Sequence, residues 1–289
     1  MPSLRDIRKR VRSVKSTQQI TRAMKMVAAA KLRRAQETAL AARPYATKMS
    51  EVLRSIASRA DVSAHPLFQT PDSKRVVLVV VTADRGLCGG LNSNLARRAV
   101  EVERELRQAG KDPVLFCVGR KGRDFFRRRK FTVIKEKINV FAKLTYGDAR
   151  ILAKELVELF LAGETGEVRL VYNEFKSVIA PRIMVETLLP IPRPAADASQ
   201  AAAVDYEYEP SPEGILEALV PWHVNTQIWR VLIESWAAEQ GARMTAMESA
   251  TKNAGEMIEK LTLTLNKARQ ASITREIIEV VSGAMALEG

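Results

Sequence analysis

MESATKNAGEMIEKLTLTLNKA, residues 247–268, places Met247, Thr251, Ala254, Ile258, Leu261, Leu265 and Ala268 at a strict alternation of four and three. That spacing is the apolar seam of a coiled-coil helix, and a seam needs a second helix to cover it. Working outward, Ile273, Ile277 and Val281 extend an apolar stripe toward the C-terminus, so the seam is expected to run from Met247 to Ile277. Gly241, Gly255 and Gly283 each weaken such a helix by about 1 kcal/mol relative to Ala. Pro221 would bend it or mark its start.

The matching partner lies at the other end of the chain. From Pro2 to about Arg59 there is no glycine, and Pro44 is the sole proline after the start. Pro2 and Ser3 form a helix start signal, and Leu4, Ile7, Val11 and Val14 repeat the coiled-coil spacing. The seam then turns polar at Gln18 and is expected to resume in a shifted phase at Ile20, Met24 and Val27, ahead of Ala28, Ala29 and Ala30. At 1.5 Å per residue the two terminal helices would each be on the order of 80 to 100 Å long.

Between the ends the pattern changes. Val76–Val81, Val114–Val118, Phe131–Ile134, Glu167–Tyr172 and Ile183–Leu189 read as strands, with helices at Asn92–Ala109 and Tyr146–Leu161. Strands separated by helices predict a central Rossmann-like, doubly wound α/β domain. The expected organisation is an N-terminal coiled-coil helix at 1–60, the α/β domain at 74–192, a Pro- and Ala-rich linker at 193–212 and a C-terminal coiled-coil helix at 213–289. The terminal helices pair antiparallel.

Composition narrows the function. The formal net charge of +13 predicts an acidic partner. Up to Gln36 the sole acid is Asp6, against Arg5, Arg8, Lys9, Arg10, Arg12, Lys15, Arg22, Lys25, Lys31, Arg33 and Arg34. This segment has no aromatic residue for base stacking, and its cations alternate with a seam. On residues alone, an acidic protein and nucleic acid fit equally well. No apolar run approaches the roughly 18 residues of a membrane span. The amphipathic pattern continues without a break past Ser16, which argues against a cleaved leader.

The loop TADRGLCGGLN, residues 82–92, is the strongest candidate for chemistry, because a Gly-rich turn between strand and helix is where phosphates bind. Its G-x-x-G-G spacing matches neither nucleotide fingerprint, and no Lys follows, so it is expected to be a structural turn. Cys88 has no evident base, His65 and His223 are the sole histidines, and paired Cys ligands are absent. Neither a catalytic set nor a metal or cofactor site is expected, and Cys88 and Cys117 are read as free thiols. The basic run from Arg120 to Lys137 reads as a solvated helix face and loop of the α/β domain.

Three long motifs carry a resemblance. MPSLRDIRKRVRSVKSTQQITRAMKMVAAAKLRRAQ resembles the N-terminal helix of F-type ATP synthase gamma subunits, VTADRGLCGGLN their central-domain loop, and NKARQASITREIIEVVSGAMAL their C-terminal helix. The resemblance spans nearly the whole chain in the same order. It implies a non-catalytic rotor shaft, one copy per complex, turning inside the ring of alpha and beta subunits while its α/β foot binds epsilon and the c ring. It further implies no cofactor of its own, no nucleic acid, and attachment to the cytoplasmic face of a bacterial inner membrane through the complex alone. By the same resemblance Met24, Lys25, Arg269, Gln270, Thr274 and Glu276 would meet the alpha/beta ring. Arg43, Tyr45, Tyr206, Tyr208 and Glu209 would meet epsilon and the c ring. The long cysteine-bearing insertion of chloroplast gamma subunits is absent.

Overall fold

The computed structural model describes residues 3–57, 65–178, 181–192 and 212–288. The elements are α1 (Leu4–Ala57), β1 (Arg75–Val81), α2 (Leu91–Gln108), β2 (Asp112–Val118), α3 (Arg120–Arg128), β3 (Val133–Lys137), α4 (Tyr146–Leu161), β4 (Glu167–Glu174), β5 (Arg182–Leu189) and α5 (Pro212–Glu288). Helix α1 passes through Pro44 and α5 through Pro221, so neither proline ends its helix. The chain divides into two compact units, one of Met1–Ala28 with Met244–Gly289 and the other of Ala29–Arg243.

The larger unit is built on a five-stranded sheet in the order β3-β2-β1-β4-β5. β1 pairs in parallel with β2 and β4, whereas β4 and β5 are antiparallel. The β-branched run of β1 is buried on both faces, as a central parallel strand requires. Val76, Leu78 and Val80 join Leu95, Ala99 and Val102 of α2 and Phe126 of α3 in one cluster. Val77, Val79 and Val81 join Leu152 and Leu156 of α4 and, from α5, Val220, Val224, Ile228 and Val231 in the other. The first part of α5, up to Arg243, therefore belongs with the sheet and covers one of its faces.

The expected strands and helices are all present, with the third strand displaced to Val133–Lys137. The basic run from Arg120 folds as the short helix α3. The antiparallel direction of β5 had no signature in its own residues. It follows from the short connection after β4, which is too brief for a crossover.

In the smaller unit, Ser3 caps α1. Its hydroxyl donates to Asp6 Oδ2 at 2.8 Å, and Asp6 N donates back to Ser3 Oγ at 3.2 Å. The one acid of the basic N-terminal segment is thus held by a capping box. Thr21 meets Thr251 and Lys25 meets Glu248, so rising numbers on α1 face falling numbers on α5 and the pair is antiparallel. On this part of α5 Met247, Thr251, Ala254, Ile258, Leu261, Leu265, Ala268 and Ser272 are buried or half-buried, with Met244, Ala246, Ala250 and Gly255 widening the covered stripe near its start. This is the predicted alternation, one step longer.

Two expectations are corrected. On α1 up to Ala28 the seam positions Leu4, Ile7, Val11, Val14, Gln18, Thr21, Lys25 and Ala28 are covered; of the expected resumption Met24 is half-buried beside them, while Ile20 and Val27 are exposed, as is Met26. The seam keeps its phase, because its polar members find partners across the helix pair and need no apolar substitute. On α5 the covered stripe stops at Ser272, and Ile273, Ile277 and Val281 are exposed. Counting outward in heptads from Thr21 and Thr251 brings Val14 level with Ile258 and Ile7 level with Leu265. Leu4 then falls level with Ala268, and α1 ends there.

Candidate functional site

The Gly-rich loop lies at the carboxyl end of β1, beside β4, where the chain switches from one face of the sheet to the other. Its polar groups are turned inward. Thr82 Oγ1 lies 3.1 Å from Val118 O, to which it donates, and accepts from Gly122 N at 2.8 Å. Asp84 Oδ1 accepts from Arg120 N at 3.0 Å and Asn139 N at 2.8 Å, and Lys121 N donates to Ala83 O at 3.1 Å. The first amides of α3 are thus used by the loop itself. Gly119 permits this approach: its φ is 91°, and a Cβ there would stand 2.0 Å from Thr82 O.

Helix α5 closes the loop from the other side. Arg243 donates to Gly86 O at 3.2 Å and to Arg85 O at 3.5 Å, and pairs with Glu239 at 2.6 Å. Both side chains of this pair are buried, and burial raises the Glu239 pKa. Cys88 packs with Leu91 and Ala238, flanked by Phe175 and Ala242, and Asn92 Nδ2 lies 3.1 Å from its sulfur. Burial raises the Cys88 thiol, and Cys117 is pushed up to about 12. Gly241 lets α5 approach, since a Cβ there would sit 3.3 Å from the Phe175 ring. The arrangement is a latch that ties α5 to the sheet. Among the described residues, no group of three or more His, Cys, Asp or Glu is placed to hold a metal ion.

The shaft positions named from sequence fall into two groups. Met24 is half-buried, and Lys25 Nζ lies 2.5 Å from Glu248 Oε1, so its ammonium is engaged by α5. Arg269, Gln270, Thr274 and Glu276 lie exposed on α5, and Glu276 accepts from Ser272 Oγ at 3.2 Å. Around them stand Ile277 at 57 % exposed, Val280 at 71 % and Met285 at 70 %. Arg5, Arg8, Lys9, Arg10, Arg12, Lys15 and Arg22 are exposed along α1. The two groups therefore make an apolar and polar tip on α5 and a cationic surface on α1.

Of the foot positions, Tyr45 is exposed on α1. Arg43 lies on the same helix, but its side chain is outside the described residues, as are Tyr206, Tyr208 and Glu209 altogether. Sequence reasoning missed Glu239, Arg243 and Glu248. Glu248 had a legible signal, flanking the seam residue Met247, whereas Arg243 and Glu239 became identifiable when the fold brought α5 to the loop. Among the described residues no helix is long and apolar enough to cross a membrane.

An ATP synthase family model matches residues 3–287. The chain is 51% identical over 292 residues to an ATP synthase gamma chain of Chlorobaculum parvum, with all of both chains covered. It is 52% identical over 291 residues to an ATP synthase gamma chain of Anaeromyxobacter sp. strain Fw109-5, again with both covered in full. In solved structures it is similar to a chain of the Tetrahymena thermophila mitochondrial ATP synthase central stalk and c ring, with a TM-score of 0.60 and 27% identity, covering 80% of this chain and 99% of that one. A chain of the Euglena gracilis mitochondrial ATP synthase rotor shares the fold, with a TM-score of 0.66 at 18% identity, covering 93% and 98%.

Proposed function

Because this chain belongs to the ATP synthase gamma-chain family, we propose that it is the central rotor shaft of an F-type proton-translocating ATP synthase. In this reading it catalyses no bond chemistry itself. Proton flow turns the c ring and with it this chain, whose asymmetry carries the beta-subunit sites through ADP and phosphate binding, ATP formation and release; run in reverse, ATP hydrolysis pumps protons. The partners are the alpha, beta, epsilon and c subunits, with one copy of the chain per complex. It is a peripheral protein on the cytoplasmic face, held at the membrane by the complex.

One observation carries this reading: α5 continues past Ser272 with its apolar side chains uncovered. A helix end bearing Ile273, Ile277, Ile278, Val280, Val281 and Met285 in water calls for a partner surface. A ring enclosing the tip supplies one while still allowing rotation. Arg269, Gln270, Thr274 and Glu276 are placed to make polar contacts at the base of that tip, and Met24 and Lys25 contribute from α1. Because Lys25 already pairs with Glu248, its contribution to the ring is the shape and neutralised charge of that pair. The exposed arginines and lysines of α1 favour acidic beta-subunit surfaces, an attraction that aligns the partners and speeds their assembly.

Domain roles follow. Residues 1–28 with 244–289 form the shaft, and 74–192, with the first part of α5 packed on it, form the foot. Tyr206, Tyr208 and Glu209, which lie outside the described residues, would with Arg43 and Tyr45 meet epsilon and the c ring. The test is affinity purification of the tagged chain from membranes, followed by an Ile277→Asp/Val281→Asp variant. Recovery of alpha, beta and epsilon with the parent, and loss of ATP-driven proton pumping in the variant, is expected. A chain recovered alone, or unchanged pumping with charged residues at the tip, would overturn the reading.

A further inference from the structure

The smaller unit carries a polar layer in the middle of an otherwise apolar seam. Thr21 Oγ1 and Thr251 Oγ1 are 2.8 Å apart, with Thr21 only 8% exposed. Gln18 Nε2 reaches across to Thr251 O at 3.4 Å. Lys25 and Glu248 close the layer at 2.5 Å. Gly255 completes it: a Cβ there would stand 3.1 Å from Gln18 Nε2, so the missing side chain is what opens the Thr251 carbonyl to the amide. A mid-helix glycine is otherwise unfavourable, and here it has a specific partner.

The apolar residues around this layer do not define a unique alignment. Slide α5 by one heptad, about 10 Å, and Leu4 faces Leu261, Ile7 faces Ile258 and Val11 faces Ala254. All are apolar pairs of acceptable size. Within this unit the polar residues alone object; farther along the same two helices, Leu53 of α1 shares a core with Val220, Val224 and Ile228 of α5. In that slipped pairing Gln18 would face Met247, Thr21 Met244 and Thr251 Val14, so the amide loses the Thr251 carbonyl, and the two hydroxyls lose each other and keep only their own-helix acceptors, Gln18 O at 3.0 Å and Met247 O at 2.7 Å. A single polar position is known to fix register in coiled coils by this penalty.

We propose that Gln18, Thr21, Thr251 and Gly255, closed by the Lys25–Glu248 pair, form a register lock that fixes the axial position of α5 against α1. Gln18, Thr21, Thr251 and Gly255 are positioning residues: they set how far the α5 segment from Arg269 to Met285 projects beyond the start of α1. A one-heptad slip moves that segment by about 10 Å, two turns of helix, and would misplace every polar and apolar group on the tip together. The lock stands on the geometry of the helix pair and does not need the rotor reading, which supplies only a reason for slip to matter under load.

The test separates the two. In the full-length chain, the in-register pair Val14→Cys/Ile258→Cys and the slipped pair Ile7→Cys/Ile258→Cys are each placed in the parent and in a Gln18→Leu/Thr21→Val/Thr251→Val background. Disulfide yield is read under mild oxidation. The parent should cross-link the in-register pair alone. The apolar background should raise the slipped yield at least about tenfold, with helix content unchanged by circular dichroism. Gly255→Ala gives a second, milder route, since its methyl would stand 3.1 Å from Gln18 Nε2 and crowd the amide against the Thr251 carbonyl. A slipped yield that stays at the parent's level in both backgrounds overturns the lock. ATP-driven proton pumping in the assembled complex is then read with the same variants: slip with normal pumping would leave the lock standing and count against the rotor reading.

Discussion

Replacing Arg243 with alanine tests the latch that holds α5 to the sheet. The guanidinium donates to Gly86 O, Arg85 O and Gln240 Oε1 and pairs with Glu239 at 2.6 Å. Both side chains are nearly inaccessible, at 11% and 7% exposed, so solvent screening contributes little. Removing one partner of such a pair costs about 3–5 kcal/mol, because the remaining charge stays buried without compensation. Glu239 has one escape, to take up a proton. Starting from an ordinary carboxylate value of 4.5, protonation at pH 7 costs roughly 3 kcal/mol at 1.36 kcal/mol per pH unit. That caps the carboxylate's share, and the loss at pH 7 is expected to be about 3–4 kcal/mol. The double variant Arg243→Ala/Glu239→Gln removes the stranded charge and should recover more than half of the loss. Trp222, Trp229 and Trp236, the three tryptophans of the chain, all lie on α5 before Arg243, so their fluorescence in a urea titration reports this packing. A loss under about 1 kcal/mol, or no recovery in the double variant, would refute the assignment of a buried, charge-balanced latch.

Other expectations are independent of it. Leu261→Ala and Leu265→Ala each remove a seam side chain that is half-buried, so each should cost about 1–2 kcal/mol, below the 2–5 of a full core site; unchanged thermal melting of the double variant would contradict the seam. His223 is half-buried near Arg230, and both desolvation and that cation lower its pKa from 6.5. The unfolded chain therefore binds the proton more readily, so stability from this site is complete above pH 6.5 and declines as pH falls below it. A His223→Leu variant should flatten that part of the stability–pH curve, and an unaltered curve would exclude the site. Cys88 and Cys117 are both buried with raised thiol pKa values, so an aromatic disulfide reagent should titrate neither in the native chain at pH 8 and both after denaturation. Fast reaction of either without denaturant would show that its packing is wrong.

What could be read directly from the sequence was whatever depends on neighbours along the chain. The alternation from Met247 to Ala268 fixes which face of α5 is covered, because helical periodicity is a local property. The β-branched run of β1, the span of α4 and the failure of the Gly-rich loop to match a phosphate motif were legible for the same reason. Motif resemblance alone proposed contact roles for Arg269, Gln270, Thr274 and Glu276, whereas Met24 and Lys25 also stood out by spacing and by charge.

Properties that depend on which distant groups meet were decided by tertiary structure. Gln18 looked like the end of a seam until Thr251 and the bare backbone at Gly255 were placed opposite it, and polar residues keep a seam in phase only when such partners exist. Cys88 and the loop around Gly86 were read from spacing as a structural turn. That Arg243 fills the place beside them required α5 to be folded onto the sheet. The stripe from Ile273 to Val281 continues the helical pattern in sequence, yet its partner helix begins at Leu4, level with Ala268, and the cover stops at Ser272. Periodicity determines which side of a helix is apolar. The length and register of the partner determine how much of that side is covered, and that difference leaves the tip of α5 exposed.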